Sequence, residues 1–362
     1  MSELEKARQI INETDKKMAE LFEKRMDAVK TVAEYKKAHG LPIDDFQREK
    51  VILERGNEII KNQDYKAYYN DFLKNNIAIS KAMQHRLLDG MRVSYSGVEG
   101  SFAQNAALKI FPDAKTVSCD DFKTAYESVV NSKSDCAVLP IENSFNGDVG
   151  AVLDLVFFGP LYINGIYEAE IIQNLMGIKG TRISDVKTVI SHPQALGQCA
   201  DFIRQYNMST VQSANTALAA KEVSKKNDKS FAAIASREAA KEFGLEILAP
   251  HINESNTNTT RFVVFSKNPK FKSGLDEQFV MLFTVDNTAG ALGKAVSVIG
   301  DYGFNLRALK SRPTKQLSWS YYFYAEGEGN IYSENGQKML NKLKECCTDI
   351  KIAGSFEKEI KI

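Results

Sequence analysis

Histidine and cysteine are too few and too scattered in this chain to announce a metal centre or a disulfide framework. Its four histidines, His39, His85, His192 and His251, lie far apart, and none falls in a ligand spacing such as His-Glu-x-x-His. The five cysteines (Cys119, Cys136, Cys199, Cys346 and Cys347) are odd in number and lack any Cys-x-x-Cys spacing, so they are expected to be reduced packing residues. No metal and no other cofactor is expected. An excess of charge of either sign is also missing, since 47 Lys and Arg face 46 Asp and Glu. That balance excludes the broad electrostatic footprint of a nucleic-acid or anionic-membrane binder. No run of 18 apolar residues exists, so nothing is expected to span a membrane. The charged start Met1-Ser2-Glu3-Leu4-Glu5-Lys6 lacks the apolar segment of a signal peptide, which points to the cytoplasm. Anion recognition, if the chain performs any, falls to individually placed cations.

What is present is an ordinary globular composition, 43% hydrophobic and 26% charged over 362 residues. At roughly 100–200 residues per domain, that length suggests two or three. The first boundary lies near residue 90. Before it, Leu4, Ala7, Ile11, Thr14, Met18, Leu21, Arg25, Ala28 and Val32 recur every three or four positions, predicting one long helix from about Leu4 to Ala38. Gly40 and Pro42 stop it. Asp44 or Asp45 can then cap a helix over Phe46–Lys61, and a third runs from about Tyr65 to Leu88. Three helices of such unequal length do not close a core alone, so an intertwined dimer is expected. Arg25 interrupts the apolar stripe, and Lys36, 11 residues on, returns to the same face. Two inward cations fit either ion pairs with a partner helix or a pocket for a small polyanion.

With Arg8, Asp45-x-x-Arg48-Glu49 and Ser80-x-x-x-Gln84 added to that pair, the unit resembles the all-helical chorismate mutases. The resemblance implies that Arg25 and Arg48 bind the substrate carboxylates, that Arg8 reaches in from the other subunit, and that Glu49 holds the ring hydroxyl. Asp45 and Ser80 complete the substrate site. The rearrangement of chorismate is pericyclic and needs no nucleophile. The site selects a compact conformer and stabilises charge on the ether oxygen, a task that falls to Lys36 and Gln84 as donors.

From Met91 the pattern changes to short β-rich runs alternating with helical segments, the mark of α/β architecture. Strands are expected at Arg92–Ser96, Cys136–Leu139, Tyr167–Ile172, Thr188–Ile190, Phe231–Ile234 and Phe262–Phe265, with helices opening at Ser101, over Pro193–Tyr206 and over Arg237–Phe243. Polar corners follow several strands: Glu142-Asn143-Ser144, Ser191-His192-Pro193-Gln194 and Asn256-Thr257-Asn258-Thr259-Thr260. Ligands bind beyond the carboxyl ends of strands in such sheets, so two facing units would form a bilobal cleft.

The segments Pro140-Ile-Glu-Asn143, Ser191-His-Pro-Gln-Ala-Leu-Gly-Gln198, Asn215-Thr216-Ala217, Ala233-Ile-Ala-Ser236 and Thr259-Thr-Arg-Phe262 together resemble prephenate dehydratase. The resemblance assigns the catalytic Thr-Arg-Phe to Thr260, Arg261 and Phe262, and cleft roles to Glu142, Asn143, Ser191 and Gln198. The implied reaction expels CO₂ and the ring hydroxyl from prephenate to give phenylpyruvate. Thr260 and Glu142 are the competing candidates for assisting the departing hydroxyl. His192, before a Pro, reads as a turn-packing residue.

After the polar stretch from Lys267 to Gly274, a strand at Gln278–Val285, a helix to about Tyr302, strands near Leu306–Ser311 and Trp319–Glu326 and a last helix from about Ser333 follow. This resembles the ACT domain, a βαββαβ module that binds amino acids. Phenylalanine-binding members usually carry Pro-Gly-Ala-Leu-Val and Glu-Ser-Arg-Pro. This chain has Ala289-Gly-Ala-Leu-Gly293 and Lys310-Ser-Arg-Pro313. Gly290, Ala291, Leu292, Ser311, Arg312 and Pro313 are the implied effector residues.

The expected architecture is therefore an all-α unit over 1–90, a bilobal α/β domain over 91–267 and an α+β module over 275–358. The resemblances together imply a bifunctional enzyme that takes chorismate to prephenate and on to phenylpyruvate under L-phenylalanine feedback, working as at least a dimer. A dehydratase (of prephenate or its amino analogue arogenate) with a helical dimeriser and an amino-acid-responsive binding protein are the alternatives.

Overall fold

The computed structural model describes residues 2–255, 257–269, 277–314 and 321–362. It separates into two compact units, Met1–Arg92 and Val93–Ile362. The expected positions at Asn256, at 270–276 and at Trp319 and Ser320 lie outside the described residues.

The first unit is three helices: α1 (Glu3–His39), α2 (Phe46–Ile59) and α3 (Lys66–Asp89). A reciprocal capping box between Ser2 and Glu5 starts α1, and Gly40 in the left-handed region (φ 62°) ends it. Asp45, not Asp44, caps α2 by accepting the Arg48 N–H at 2.9 Å. Both α1 and α2 pack on α3. The face of α1 that does so centres on Met26 and Ala33. The expected apolar stripe lies elsewhere: Leu4, Ile11, Met18, Leu21 and Val32 are all exposed within the chain. A helix of about 55 Å thus has two apolar faces, and its own chain buries one of them.

The second unit opens with β1 (Arg92–Ser96), α4 (Phe102–Ile110), β2 (Lys115–Cys119), α5 (Phe122–Val130), β3 (Cys136–Asn143), β4 (Gly147–Asp148), α6 (Gly150–Phe158) and β5 (Tyr162–Glu170). A second lobe follows, with β6 (Asn174–Gly177), β7 (Thr188–Ser191), α7 (Pro193–Gln198), α8 (Ala200–Gln205), β8 (Ser209–Gln212), α9 (Thr216–Lys226), β9 (Phe231–Ala235), α10 (Arg237–Glu242) and β10 (Glu246–Ala249). The chain then returns to the first lobe as β11 (Thr259–Ser266). The first sheet runs β5-β11-β3-β1-β2, with β4 on β3, and the second runs β10-β6-β9-β7-β8.

Because β5 and β11 are neighbours, the two connections between lobes lie side by side. They are tied by the Ile171 N–H to the Asn258 carbonyl (2.8 Å) and the Ile252 N–H to the Gln173 carbonyl (2.9 Å). Three sequence expectations are corrected here. The helix over Pro193–Tyr206 breaks at Cys199 into α7 and α8. The strand placed at Tyr167–Ile172 is β5, ending at Glu170. Strand β3 does not stop before Pro140 but runs to Asn143; Pro140 has no N–H to give, and the β11 ladder shifts register beside it.

The remainder is β12 (Gln278–Thr284), α11 (Ala291–Asp301), β13 (Asn305–Pro313), β14 (Tyr321–Glu328), α12 (Glu334–Leu343), β15 (Asp349–Phe356) and β16 (Ile360–Lys361). Strands β13-β14-β12-β15 form an antiparallel sheet in that order. The core containing α11 and α12 lies on one face, where Phe279, Met281 and Phe283 meet Ala295, Ile299 and Met339. On the other face Val280, Leu282, Tyr322 and Tyr324 join the first lobe's core with Leu153, Val156 and Ile163. The approach is close: a side chain at Gly354 would collide with the Ile163 carbonyl. The chain ends as β16, which pairs with β5 and so adds an edge to the first lobe's sheet.

Candidate active sites

In the helical unit, Arg25 on α1 donates to the Ser80 hydroxyl and to the Asn76 carbonyl (3.3 Å) on α3. Burial lowers the guanidinium's affinity for its proton, as expected for a half-buried cation. Gln84 is buried one turn beyond Ser80; its Nε2 donates weakly to the Ser80 carbonyl at 3.4 Å and its Oε1 has no partner among the described residues. Lys36 donates to the Ile43 carbonyl at 2.7 Å. Arg25, Ser80 and Gln84 therefore come together, and an amide with unspent capacity lies among them. Arg8 and Arg48 are exposed in the single chain, and Asp45 is engaged as a cap. Sequence reasoning passed over Lys81, which bridges Asp44 (2.5 Å) and Glu49 (2.9 Å) and is raised in pKa chiefly by the Asp44 hydrogen bond. Its signal was its position on the buried side of α3, three residues from Gln84.

In the second unit a cavity of about 620 Å³ opens between the two lobes. The first lobe lines it with Asn143, Thr260 and Phe262, and the second with His192, Gln198 and Asn215. Helices begin at its rim: α4 behind the cap Ser101, α6 at Gly150, α7 behind the cap His192 and α9 behind the cap Asn215. No Lys or Arg is among the described lining residues. A carboxylate entering the cleft would thus be met by helix N-terminal N–H groups and neutral donors, not by cations. His192 caps α7 by accepting the Gln194 N–H on Nδ1 (3.3 Å), and burial lowers its pKa. Burial thus favours the neutral imidazole, and with Nδ1 accepting, its proton belongs on Nε2.

Thr260 is buried, and its Oγ1 accepts from Asn143 Nδ2 at 3.0 Å. Asn143 is held in turn by the N–H groups of Phe145 and Asn146, each 3.1 Å from its Oδ1. Ser191 is fully buried and donates to the Ile234 carbonyl at 2.6 Å, so it braces β7 against β9 without lining the cleft.

Glu142 and Arg261, expected in the cleft, point to the opposite face of their strands. Arg261 donates to Glu142 (2.8 Å), to both oxygens of Glu326 (3.1 and 2.7 Å) and to Glu359 (2.8 Å). The other Glu142 oxygen accepts from Lys310 at 2.9 Å. Burial alone would raise the Glu142 carboxyl, but the hydrogen bonds from Lys310 and Arg261 outweigh it and hold the pKa below the usual range. Glu142 is thus an ionised structural partner, with no proton to give at neutral pH.

Lys310 also reaches the cleft-lining Asp148 at 2.5 Å. Arg312 makes a two-pronged contact with Asp154 (2.9 and 3.2 Å), and its guanidinium lies against Gly150 at the start of α6. Of the remaining effector candidates, Gly290 (φ 82°) with Ala291 and Leu292 opens α11, while Ser311 and Pro313 are exposed on the edge strand β13. Among the described residues no cluster of His, Cys, Asp or Glu is placed to hold a metal ion, and no helix is long and apolar enough to cross a membrane.

Known proteins match both units. A model of the prephenate dehydratase family covers residues 93–270, and one of the chorismate mutase type II family covers residues 7–85. A bifunctional chorismate mutase/prephenate dehydratase of Buchnera aphidicola (subsp. Acyrthosiphon pisum) is 31% identical over 96% of this chain and 95% of its own length. Arogenate dehydratase 2 of Petunia hybrida is 34% identical over 74% of this chain and 71% of its own. The crystal structure of an Arthrobacter aurescens prephenate dehydratase in complex with L-Phe superposes with a TM-score of 0.69 at 26% identity, over 74% of this chain and 90% of that one. The two family matches on one chain, with a bifunctional relative along nearly its whole length, define an isomerase joined to a carbon–oxygen lyase on one polypeptide. The chain belongs to the bifunctional chorismate mutase/prephenate dehydratase family.

Proposed function

We propose that residues 1–90 rearrange chorismate, residues 91–267 convert the prephenate so formed to phenylpyruvate, and residues 275–358 are an ACT module that reports L-phenylalanine. In the helical unit Arg25, with Arg48 and a second subunit's copy of Arg8, binds the carboxylates, while Ser80, Asp45 and Glu49 shape the rest of the site. Lys36 and Gln84 donate to the ether oxygen on which charge develops. The exposed apolar stripe of α1 supports a homodimer, which would cover it and supply the missing arginine.

Because Gln84 is an amide, it donates without titrating. Mutase activity is expected to show no steep loss between pH 5 and 8 that maps to this position. With Gln84→Glu the carboxyl must be protonated to donate. Burial raises its pKa above the usual range of about 4.3, so the variant works at low pH and loses activity as pH rises through that pKa. A pH–rate profile of Gln84→Glu as flat as the wild type would remove the role.

In the cleft, Thr260 donates to the departing hydroxyl, with Asn143, Gln198, Arg261 and Phe262 as its setting. Ser191 contributes through the strand it braces, and Glu142 through its hold on Arg261. Helix starts that ring a cleft with no described lysine or arginine suit a dianionic substrate. Prephenate is the natural substrate of the two candidates, because the chain carries a unit of the mutase family that makes it. The element order β12-α11-β13-β14-α12-β15 follows the βαββαβ pattern of an ACT module and supports that reading. Feedback has a physical route in Lys310, which joins the sheet of that module to Asp148 at the cleft. The observation that carries the dehydratase reading is the pairing of Asn143 with Thr260 in the lining of an interlobe cavity.

The test is a chorismate time course with the purified chain, following prephenate and phenylpyruvate separately, with and without phenylalanine. Phenylpyruvate is expected to accumulate from chorismate and to be suppressed by phenylalanine. Conversion of added prephenate without consumption of chorismate would reduce the helices to a dimerisation unit.

A further inference from the structure

The polar corner before β11 holds a buried amide to which no role has been assigned and which does not line the cavity. Asn258, 3% exposed, lies between Asn143 of the first lobe and Gln198 of the second. The direction of every hydrogen bond in this row can be deduced. Backbone N–H groups only donate, and those of Phe145 and Asn146 both meet Asn143 Oδ1, so that end is oxygen. Asn143 Nδ2 then faces three acceptors, the Thr259 carbonyl (2.9 Å), Thr260 Oγ1 (3.0 Å) and Asn258 (3.0 Å), which share its two hydrogens. The atom of Asn258 that meets it is therefore oxygen, and its nitrogen is turned to Gln198 at 2.9 Å. Gln198 must meet that nitrogen with oxygen. Its own NH₂ is left for the cleft it lines.

We infer that Asn258 is a positioning residue for the dehydratase reaction: it fixes the polarity of a row of amides across the hinge so that both ends offer hydrogen-bond donors to the cleft. At one end Thr260 Oγ1 accepts from Asn143, which leaves the hydroxyl proton to be donated. At the other end Gln198 presents N–H, not C=O. Both ends therefore suit a substrate that carries carboxylates and sheds hydroxide. The inference rests on the reading of Thr260 and Gln198 as cleft donors. It adds that their donor character is imposed from behind, by a side chain that does not touch substrate.

The row can be reversed without removing it. Asn258→Asp keeps the shape and still accepts from Asn143, but it offers Gln198 an acceptor. Gln198 then turns its NH₂ inward and shows its carbonyl oxygen to an anionic substrate. Asn258→Ala removes the clamp without imposing the wrong direction. With prephenate as substrate and the full chain as enzyme, Asn258→Asp is expected to lower kcat/KM by about 10² or more, with KM raised as well as kcat lowered. Asn258→Ala is expected to lose about tenfold. Chorismate consumption and the melting temperature are measured alongside, as is Thr260→Ala.

A purely structural Asn258 would lower the active fraction and hence kcat, leave KM alone, and rank the two variants by their melting temperatures. That pattern, or a loss in Asn258→Ala equal to that in Asn258→Asp, overturns the inference. If Asn258→Asp has no cooperative transition, Asn258→Ala decides: an unchanged kcat/KM, or a loss in kcat alone, overturns the inference, and a tenfold loss with KM raised upholds it. Thr260→Ala separates the two layers. Full dehydratase rate in that variant sinks the reading of Thr260 itself, whereas loss there with unaffected Asn258 variants sinks only the amide row.

Discussion

Thr260→Ala is expected to lower conversion of prephenate to phenylpyruvate by about 10²–10⁴ while chorismate is consumed at the wild-type rate, so that prephenate accumulates. The reaction breaks the bond to a carboxyl carbon and the bond to the ring hydroxyl. The electron pair left by CO₂ completes the aromatic ring as hydroxide departs. Aromatisation supplies the driving force, and the one proton needed converts hydroxide to water. Of the cleft's groups, Thr260 is buried beside the cavity with its oxygen already accepting from Asn143, so its proton is the one on offer. A threonine is a weak acid, so the role proposed for it is to pass on or orient a proton that bulk water replaces. Glu142, the rival from sequence, has both oxygens spent on Arg261 and Lys310 and is held ionised. The mutase unit is a separate compact unit, so its rate is an internal control in the same sample. A dehydratase rate within a fewfold of wild type would move the donor role to another N–H group lining the cavity, with His192 and Gln198 the first to test.

The misreading of Glu142 shows where a sequence stops being informative. Side chains alternate faces along a strand, so once Thr260 faces the cleft, Arg261 faces away and Phe262 returns. That was legible in principle. It was missed because the β11 strand was expected to begin at Phe262, whereas it starts at Thr259. The same holds for β3, cut short at Pro140 because a proline usually ends a strand. Local signals did better: Gly40 as a stop, Asp45 and Ser101 as caps and Pro193 at a helix start all act through neighbours in sequence. What no local signal could show is which long-range partner a charge would meet. Lys310 looked like a lost effector contact, since a glutamate is usual there. In the fold it answers Glu142 and Asp148, where a glutamate would face two carboxylates. The C-terminal strand β16 was invisible for a similar reason, because a strand of two residues has no period to detect.

Arg261→Met is expected to destabilise the α/β unit by roughly 3–5 kcal/mol at neutral pH, the range for removing one partner of a buried ionic group. Its melting transition should fall by roughly 10 °C or more. The guanidinium is mostly buried and is hydrogen-bonded to three carboxylates from three elements: Glu142 on β3, Glu326 on β14 and Glu359 just before β16. Without it those carboxylates remain together, with Lys310 and Arg307 as the neighbouring cations. Tyr324, whose hydroxyl donates to Glu326, cannot replace a charge. The pH dependence has a definite sign. Glu142 is depressed in the folded wild type, so its contribution is present above the carboxyl's unfolded pKa and is lost as pH falls through the folded one. The gap between Arg261→Met and wild type should therefore be widest near neutrality and narrow below about pH 4. Glu326 and Lys310 belong to the C-terminal sheet and Arg261 is next in sequence to Thr260, so the same network that stabilises the unit joins that sheet to the strand that carries Thr260. If the melting temperature of Arg261→Met at pH 7 matched the wild type, the network would be ornamental, and a route from sensor to cleft through it would have to be abandoned.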